Sequence, residues 1–173
     1  MSESLIAIVD EYDNLIGAAA KEEVWQKGLW HRIAHVIVED EKGFILLQKR
    51  TMQMRLWPGR WTDSAAGHVD AGEDYLTAAR REYCEELGQA ACGDLEELGV
   101  RKQQGEFEGK MLNRFHKYYR TKVVRSEFTV HAQQAEVAEV RWFSVGQLHE
   151  LAHDHPDEVT SSIPLLAQEY YPL

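Results

Sequence analysis

The segment "GHVDAGEDYLTAARREYCEELGQ" spans residues 67–89 and sets four glutamates beside two arginines in a chain that is already acidic. Asp74 is placed to cap a helix, and Gly88 suits the left-handed position past its end, so the segment predicts a helix over Tyr75–Leu87. Leu76, Ala79, Tyr83 and Leu87 then share one face. Glu82, Glu85 and Glu86, spaced i, i+3 and i+4, project from another side within an arc of about 100°. Glu82 and Glu86 repel at that spacing, and only Arg81 with Glu85 makes an opposite-sign pair. A solvated face would interleave lysines. Three crowded carboxylates are instead the oxygen set that a hard cation such as Mg²⁺ or Mn²⁺ takes, its charge relieving their repulsion.

Outward from this helix the chain reads as mixed α/β. "LIAIV" (5–9) predicts a strand, and "AAAKEEVWQKG" (18–28) a helix stopped by Gly28. The runs 33–40 and 44–50 flank "EKG" and predict a hairpin turning at Gly43. A loop, "LWPGRW" (56–61), precedes the acidic segment. Further strands are expected near 94–101, 112–125, 127–132 and 139–143. A helix then opens with Ser144 and Gln147 as a capping box and closes before Pro156.

The bulk properties bound the function. A length of 173 residues suits one domain, and 44% hydrophobic residues supply a core. A net charge of −10 argues against nucleic acid, whose phosphates demand surplus Lys and Arg, but not against a phosphorylated small molecule. The N-terminal run carries acids where a signal peptide would not, and no run reaches about 18 apolar residues, so a cytoplasmic protein off the membrane is expected. Cys84 and Cys92 match no metal or redox spacing and read as reduced thiols.

Gly67, Glu73, Arg81, Glu82, Glu85, Glu86 and Gly88 match position for position the signature that identifies Nudix hydrolases. From average residue usage, these seven coincide by chance on the order of once in a million chains of this length. Tyr83 and Gln89 depart from it, each standing where the family prefers an aliphatic. The resemblance implies an α/β/α sandwich with a mixed sheet and a loop–helix–loop Nudix box. It also implies divalent metal, Mg²⁺ or Mn²⁺, on Glu82, Glu85 and Glu86, with the Gly67 carbonyl a further ligand. Arg81 takes the place of an arginine that orients the glutamate matching Glu73. A further acid, ligand or base, is expected from "QAEVAEVRWF", with Glu136 the first choice and Glu139 the second.

The chemistry so implied is hydrolysis of a phosphoanhydride in a nucleoside or other organic diphosphate, with Glu85 or Glu136 taking the water's proton. Between Arg101 and Arg125 stand eight Lys or Arg against two Glu, interleaved with aromatics. Arg50, Arg114, Lys117 and Tyr119 are the expected substrate contacts, although the segment reads equally as a strand with a basic polar face.

The wider resemblance, over residues 5–170, is to the isopentenyl diphosphate isomerase branch, through "VDEYDNLIG", "LWHRIAHVIV" and "WPGRWTDSAAGHV". That branch's catalytic cysteine is here Ala66, and its acidic strand reads "FHKYY", so the hydrolase is preferred over the isomerase. His31 and His68 then read as structural histidines before metal ligands. A binding protein without catalysis is disfavoured because every box glutamate is kept. "HELAH" (149–153) matches a zinc-protease pattern, but its helix is short, and Val145, Leu148, Leu151 and Ala152 make it simply amphipathic. The expected organisation is one domain over 1–173. It comprises an extension over 1–30 with a strand and a helix, a core over 31–155 and a C-terminal helix over 156–173, with a homodimer left open.

Overall fold

The computed structural model describes residues 5–173, so the first four residues of the expected N-terminal extension lie outside it. The elements in chain order are β1 (Leu5–Val9), β2 (Leu15–Ala20), α1 (Lys21–Lys27), β3 (His31–Asp40), β4 (Ile45–Arg50), β5 (Trp61–Thr62) and β6 (Ala65–His68). There follow α2 (Tyr75–Leu87), β7 (Glu96–Phe107), β8 (Lys110–Val123), β9 (Val137–Phe143), α3 (Val145–Asp154) and α4 (Ser162–Leu165). Among the described residues, no helix is long and apolar enough to cross a membrane.

β3 is the hub. It runs antiparallel to β1, β4 and β6 and parallel to β8, with His31 opposite Arg114 and His35 opposite Tyr118. β7 extends the sheet beyond β8, while β5 and β9 flank β4. Ile33, Ala34, Val36, Ile37 and Val38 are all buried, because a central strand covered on both faces needs a continuous apolar run rather than alternation. On one face Ile37, Leu47 and Tyr118 pack with Leu148, Ile163 and Leu166 of the C-terminal helices. On the other, Val36, Val38, Leu46 and Tyr119 pack with Ala78, Ala79, Tyr83 and Leu87 of α2. The result is the expected α/β/α sandwich around a mixed sheet.

The predicted helix over Tyr75–Leu87 forms with those limits, Asp74 capping the Thr77 amide at 2.8 Å and Gly88 at φ 64°. Its buried face differs from the reading in one place: Leu76 is 39% exposed, and Glu86 is buried instead. The helix predicted over 18–28 begins only at Lys21, because Ala18–Ala20 pair with Leu5–Ala7 and strand pairing overrides alanine's helix propensity. No strand forms over 127–132. Residues Arg125–Glu127 make a 3₁₀ turn, and the amides of His131 and Gln133 donate to the Leu87 and Glu86 carbonyls at the end of α2. β7 runs on to Phe107, turning into β8 through Glu108 and Gly109, both at positive φ as a tight two-residue hairpin requires. The C-terminal helix expected over 156–173 is broken into a 3₁₀ turn at Pro156–Glu158, α4 and a π-helical turn at Leu166–Tyr170.

Candidate active site

The acidic helix meets β6 at Gly67. A Cβ at that residue would lie 2.0 Å from Glu82 Oε1, so only glycine lets the Glu82 carboxylate rest against the strand. Arg81 organises the other acids. Its Nε and Nη2 donate to the two Glu73 oxygens at 2.8 and 2.9 Å, Nη2 also donates to the His68 carbonyl, and Nη1 donates to Glu82 at 2.5 Å. Nη1 lies 3.5 Å from Glu85, the expected i,i+4 pair. Glu73 in turn accepts from the Asp70 amide at 3.0 Å, and its pairing with Arg81 holds its carboxyl below the ordinary value.

Glu86 is 3% exposed. One of its oxygens accepts from Gln48 Nε2 at 2.7 Å and from the Ala66 amide at 3.0 Å. Burial, and then the neighbouring Glu82 charge, push its pKa up to about 8. Burial also raises Glu82 despite Arg81, with Glu85 and Glu136 adding repulsion. Among the described residues no three His, Cys, Asp or Glu side chains converge closely enough to chelate an ion as they stand. The donor set nevertheless fits a hard divalent cation. Glu82, Glu86 and Glu136 are hard oxygen donors, the Glu136 charge helps to raise the pKa of the other two, and Gly67 carries no side chain between β6 and the Glu82 carboxylate. Glu85 is half-exposed and turned to the same cavity.

That cavity holds about 600 Å³ and is lined by Glu82, Glu85 and Glu136 together with Arg50 and Arg114. Arg50 donates from Nε to the Leu56 carbonyl at 2.9 Å, and burial lowers its pKa. Arg114 is 6% exposed and lowered to about 10, by burial first and then by Arg50. A buried and a half-buried guanidinium of like charge favour an anion between them.

Lys117 and Tyr119 do not join them. Alternation along β8 sends Leu112, Arg114, His116 and Tyr118 to the cavity and turns Lys117 and Tyr119 toward α2, where Lys117 pairs with Glu97 at 2.9 Å and Tyr119 is buried. Glu139 is likewise elsewhere, paired with Arg141 at 2.6 Å. His31 and His68 line the cavity as a stacked pair, ring centres 5.3 Å apart. In "HELAH", His149 Nε2 donates to the Tyr171 carbonyl at 2.8 Å, while His153 is exposed beside Asp154, so the two do not converge on an ion. The sequence reading missed His35, His116, Asp63 and Trp57. The period of two, counted from His31 and Arg114, would have found the first two.

The NUDIX domain family matches residues 29–163, most of the chain and most of the residues that line this cleft. The chain belongs to the Nudix family. Within that family it is 33% identical to an isopentenyl-diphosphate Delta-isomerase of Burkholderia multivorans, the match covering 92% of this chain and 88% of that one. It is also 42% identical to isopentenyl-diphosphate Delta-isomerase 2 of Photorhabdus laumondii, there over 50% of this chain and 49% of the relative, so it spans about half that relative's length. The Nudix fold recurs in a crystal structure from Deinococcus radiodurans, at 20% identity and a TM-score of 0.72 over 96% of this chain and 99% of that one.

Proposed function

We propose that the protein is a divalent-metal-dependent pyrophosphohydrolase acting on a nucleoside or other organic diphosphate. The observation that carries this reading is that the acids Glu82, Glu85 and Glu136 and the cations Arg50 and Arg114 line one cavity. Glu82, Glu85, Glu86, Glu136 and the Gly67 carbonyl would hold Mg²⁺ or Mn²⁺, which when bound neutralises phosphate charge and acidifies a water. Arg50 and Arg114 grip the diphosphate oxygens. Arg81 fixes Glu73 and Glu82, so the acidic wall is oriented before substrate arrives. Glu85 or Glu136, both of which line the cavity, takes the proton of the attacking water. A phosphorylated small molecule, rather than nucleic acid or a membrane, is the partner this site suits, in the cytoplasm.

The near-full-length match to a protein named as an isomerase favours one second reading, isomerisation of an isopentenyl diphosphate. Ala66, beside Gly67 in the cavity, offers no thiol for that chemistry. A panel of organic diphosphates assayed with Mg²⁺ and Mn²⁺ separates the two. Hydrolysis by the wild type that is lost in Glu85→Gln is the expected result. Conversion of isopentenyl diphosphate by the wild type, without phosphate release, would contradict the hydrolase.

A further inference from the structure

Beyond the arginines, the same cavity is walled by imidazoles that phosphoanhydride hydrolysis does not use. Asp63 is fully buried and its Oδ2 meets His35 Nδ1; His35 Nε2 in turn meets His116 Nδ1 at 2.8 Å. Tyr118 stacks on His35 with centres 4.4 Å apart and fixes its plane. A His35 ring that donates to Asp63 through Nδ1 and carries no second proton accepts at Nε2 from His116 Nδ1–H, which leaves His116 Nε2 as a lone pair. His31 reaches the same state independently, because its Nδ1 lies 2.8 Å from the Leu29 carbonyl, which can only accept. Burial depresses His31 to about 4 and His116 well below its ordinary value, keeping both rings neutral.

His31 Nε2, His116 Nε2 and Arg114 Nε–H are all buried and have no partner among the described residues, on side chains that line one cavity. His31, His116 and Arg114 are 3%, 8% and 6% exposed. Leaving such groups unpaired costs as much as a lost hydrogen bond, so three on one wall ask for a complement. Two acceptors and one donor are met by hydroxyls, which both donate and accept; a hydrocarbon meets none of them.

We propose that His116 and His31, with Arg114, select a hydroxyl-bearing organic end on the diphosphate, and that Asp63 and His35 are positioning residues that lock His116 as an acceptor. The inference rests on the diphosphate reading above and adds to it which substrates are refused.

The test uses methylene-bridged ADP-ribose, which cannot be cleaved, and its counterpart with a cyclopentylmethyl group in place of the terminal ribose. Titration calorimetry with Mg²⁺ is expected to show the hydroxylated compound binding at least about tenfold more tightly to the wild type, a preference that falls to about twofold or less in His116→Phe. In ¹⁵N spectra of the wild type, His31 and His116 should each show an unprotonated Nε2 whose resonance moves with the hydroxylated compound alone. Asp63→Asn should turn His116 into a mixture of tautomers. Equal binding of the two compounds, a preference unchanged in His116→Phe, or a protonated and unmoving His116 Nε2 would overturn the proposal. Should His116→Phe fail to fold, the wild-type spectra decide alone. Binding of neither compound would overturn the diphosphate reading, and this inference with it.

Discussion

Replacing Glu86 with glutamine should make the protein more stable and inactive together. The amide oxygen can keep the bonds from Gln48 and the Ala66 amide, so the change removes a buried charge without removing its partners. With the carboxyl pushed from 4.5 to about 8 at 3% exposure, keeping it in the fold costs about 3 kcal/mol at pH 7. Allowing about 1 kcal/mol for burying the amide, a gain of about 2 kcal/mol remains, or roughly 4–8 °C in melting temperature for a chain of this size. The sign in pH follows. A carboxyl raised in the fold contributes stability that is full below its unfolded value and is lost as pH rises through its folded value. The gap between variant and wild type should therefore open from pH 4.5 and level off near pH 8. Urea unfolding with chelator, followed by circular dichroism across that range, reads it. Magnesium at about 100 times its dissociation constant should return about 2.7 kcal/mol to the wild type and less to the variant. A variant no more stable than the wild type at alkaline pH, or a gap independent of pH, would refute the view that burial and Glu82 burden this carboxylate.

Gly67→Ala should displace only the flexible end of Glu82, so urea unfolding should show a loss of about 1 kcal/mol while kcat falls about a hundredfold. Arg114→Ala should raise KM at least about tenfold, whereas Lys117→Ala, on the far face of β8, should leave both kinetic constants unchanged. His31 is held neutral in the fold down to about pH 4, so stability should fall as pH drops from 6.5 toward 4, by about 3 kcal/mol, and His31→Gln should flatten that slope in acid unfolding curves.

Much of the site was legible because its signals are local. One helix with a capping aspartate, a terminal glycine and three spaced glutamates could be laid out from residues 67–89 alone, and Arg81 reaches Glu85 as the spacing implied and holds Glu73 as the family resemblance implied. What escaped depends on register. Whether β8 shows Arg114 or Lys117 to the cavity is decided by its ten-residue parallel pairing with β3, which no short stretch encodes. Glu86 was assigned to the acidic patch, yet the helix sits so close to β6 that this side chain is buried beneath Ala66. The stretch 127–132 carries strand-forming residues, but the Glu127 and Phe128 amides close a turn onto Val124 and Arg125, and the His131 amide is claimed by the Leu87 carbonyl at the end of α2. Alternating composition also concealed the Asp63–His35–His116 chain, whose members are distant in sequence and meet only across the sheet.

The most direct test is turnover of a diphosphate panel in ¹⁸O-labelled water with Mg²⁺, read by the isotope shift in ³¹P spectra, for the wild type and Glu86→Gln. The label is predicted in one phosphate product of the wild type only, with no turnover when the metal is chelated. Turnover that survives both chelation and Glu86→Gln, or a product that carries no label, would contradict the assignment of this carboxylate cleft to metal-dependent hydrolysis.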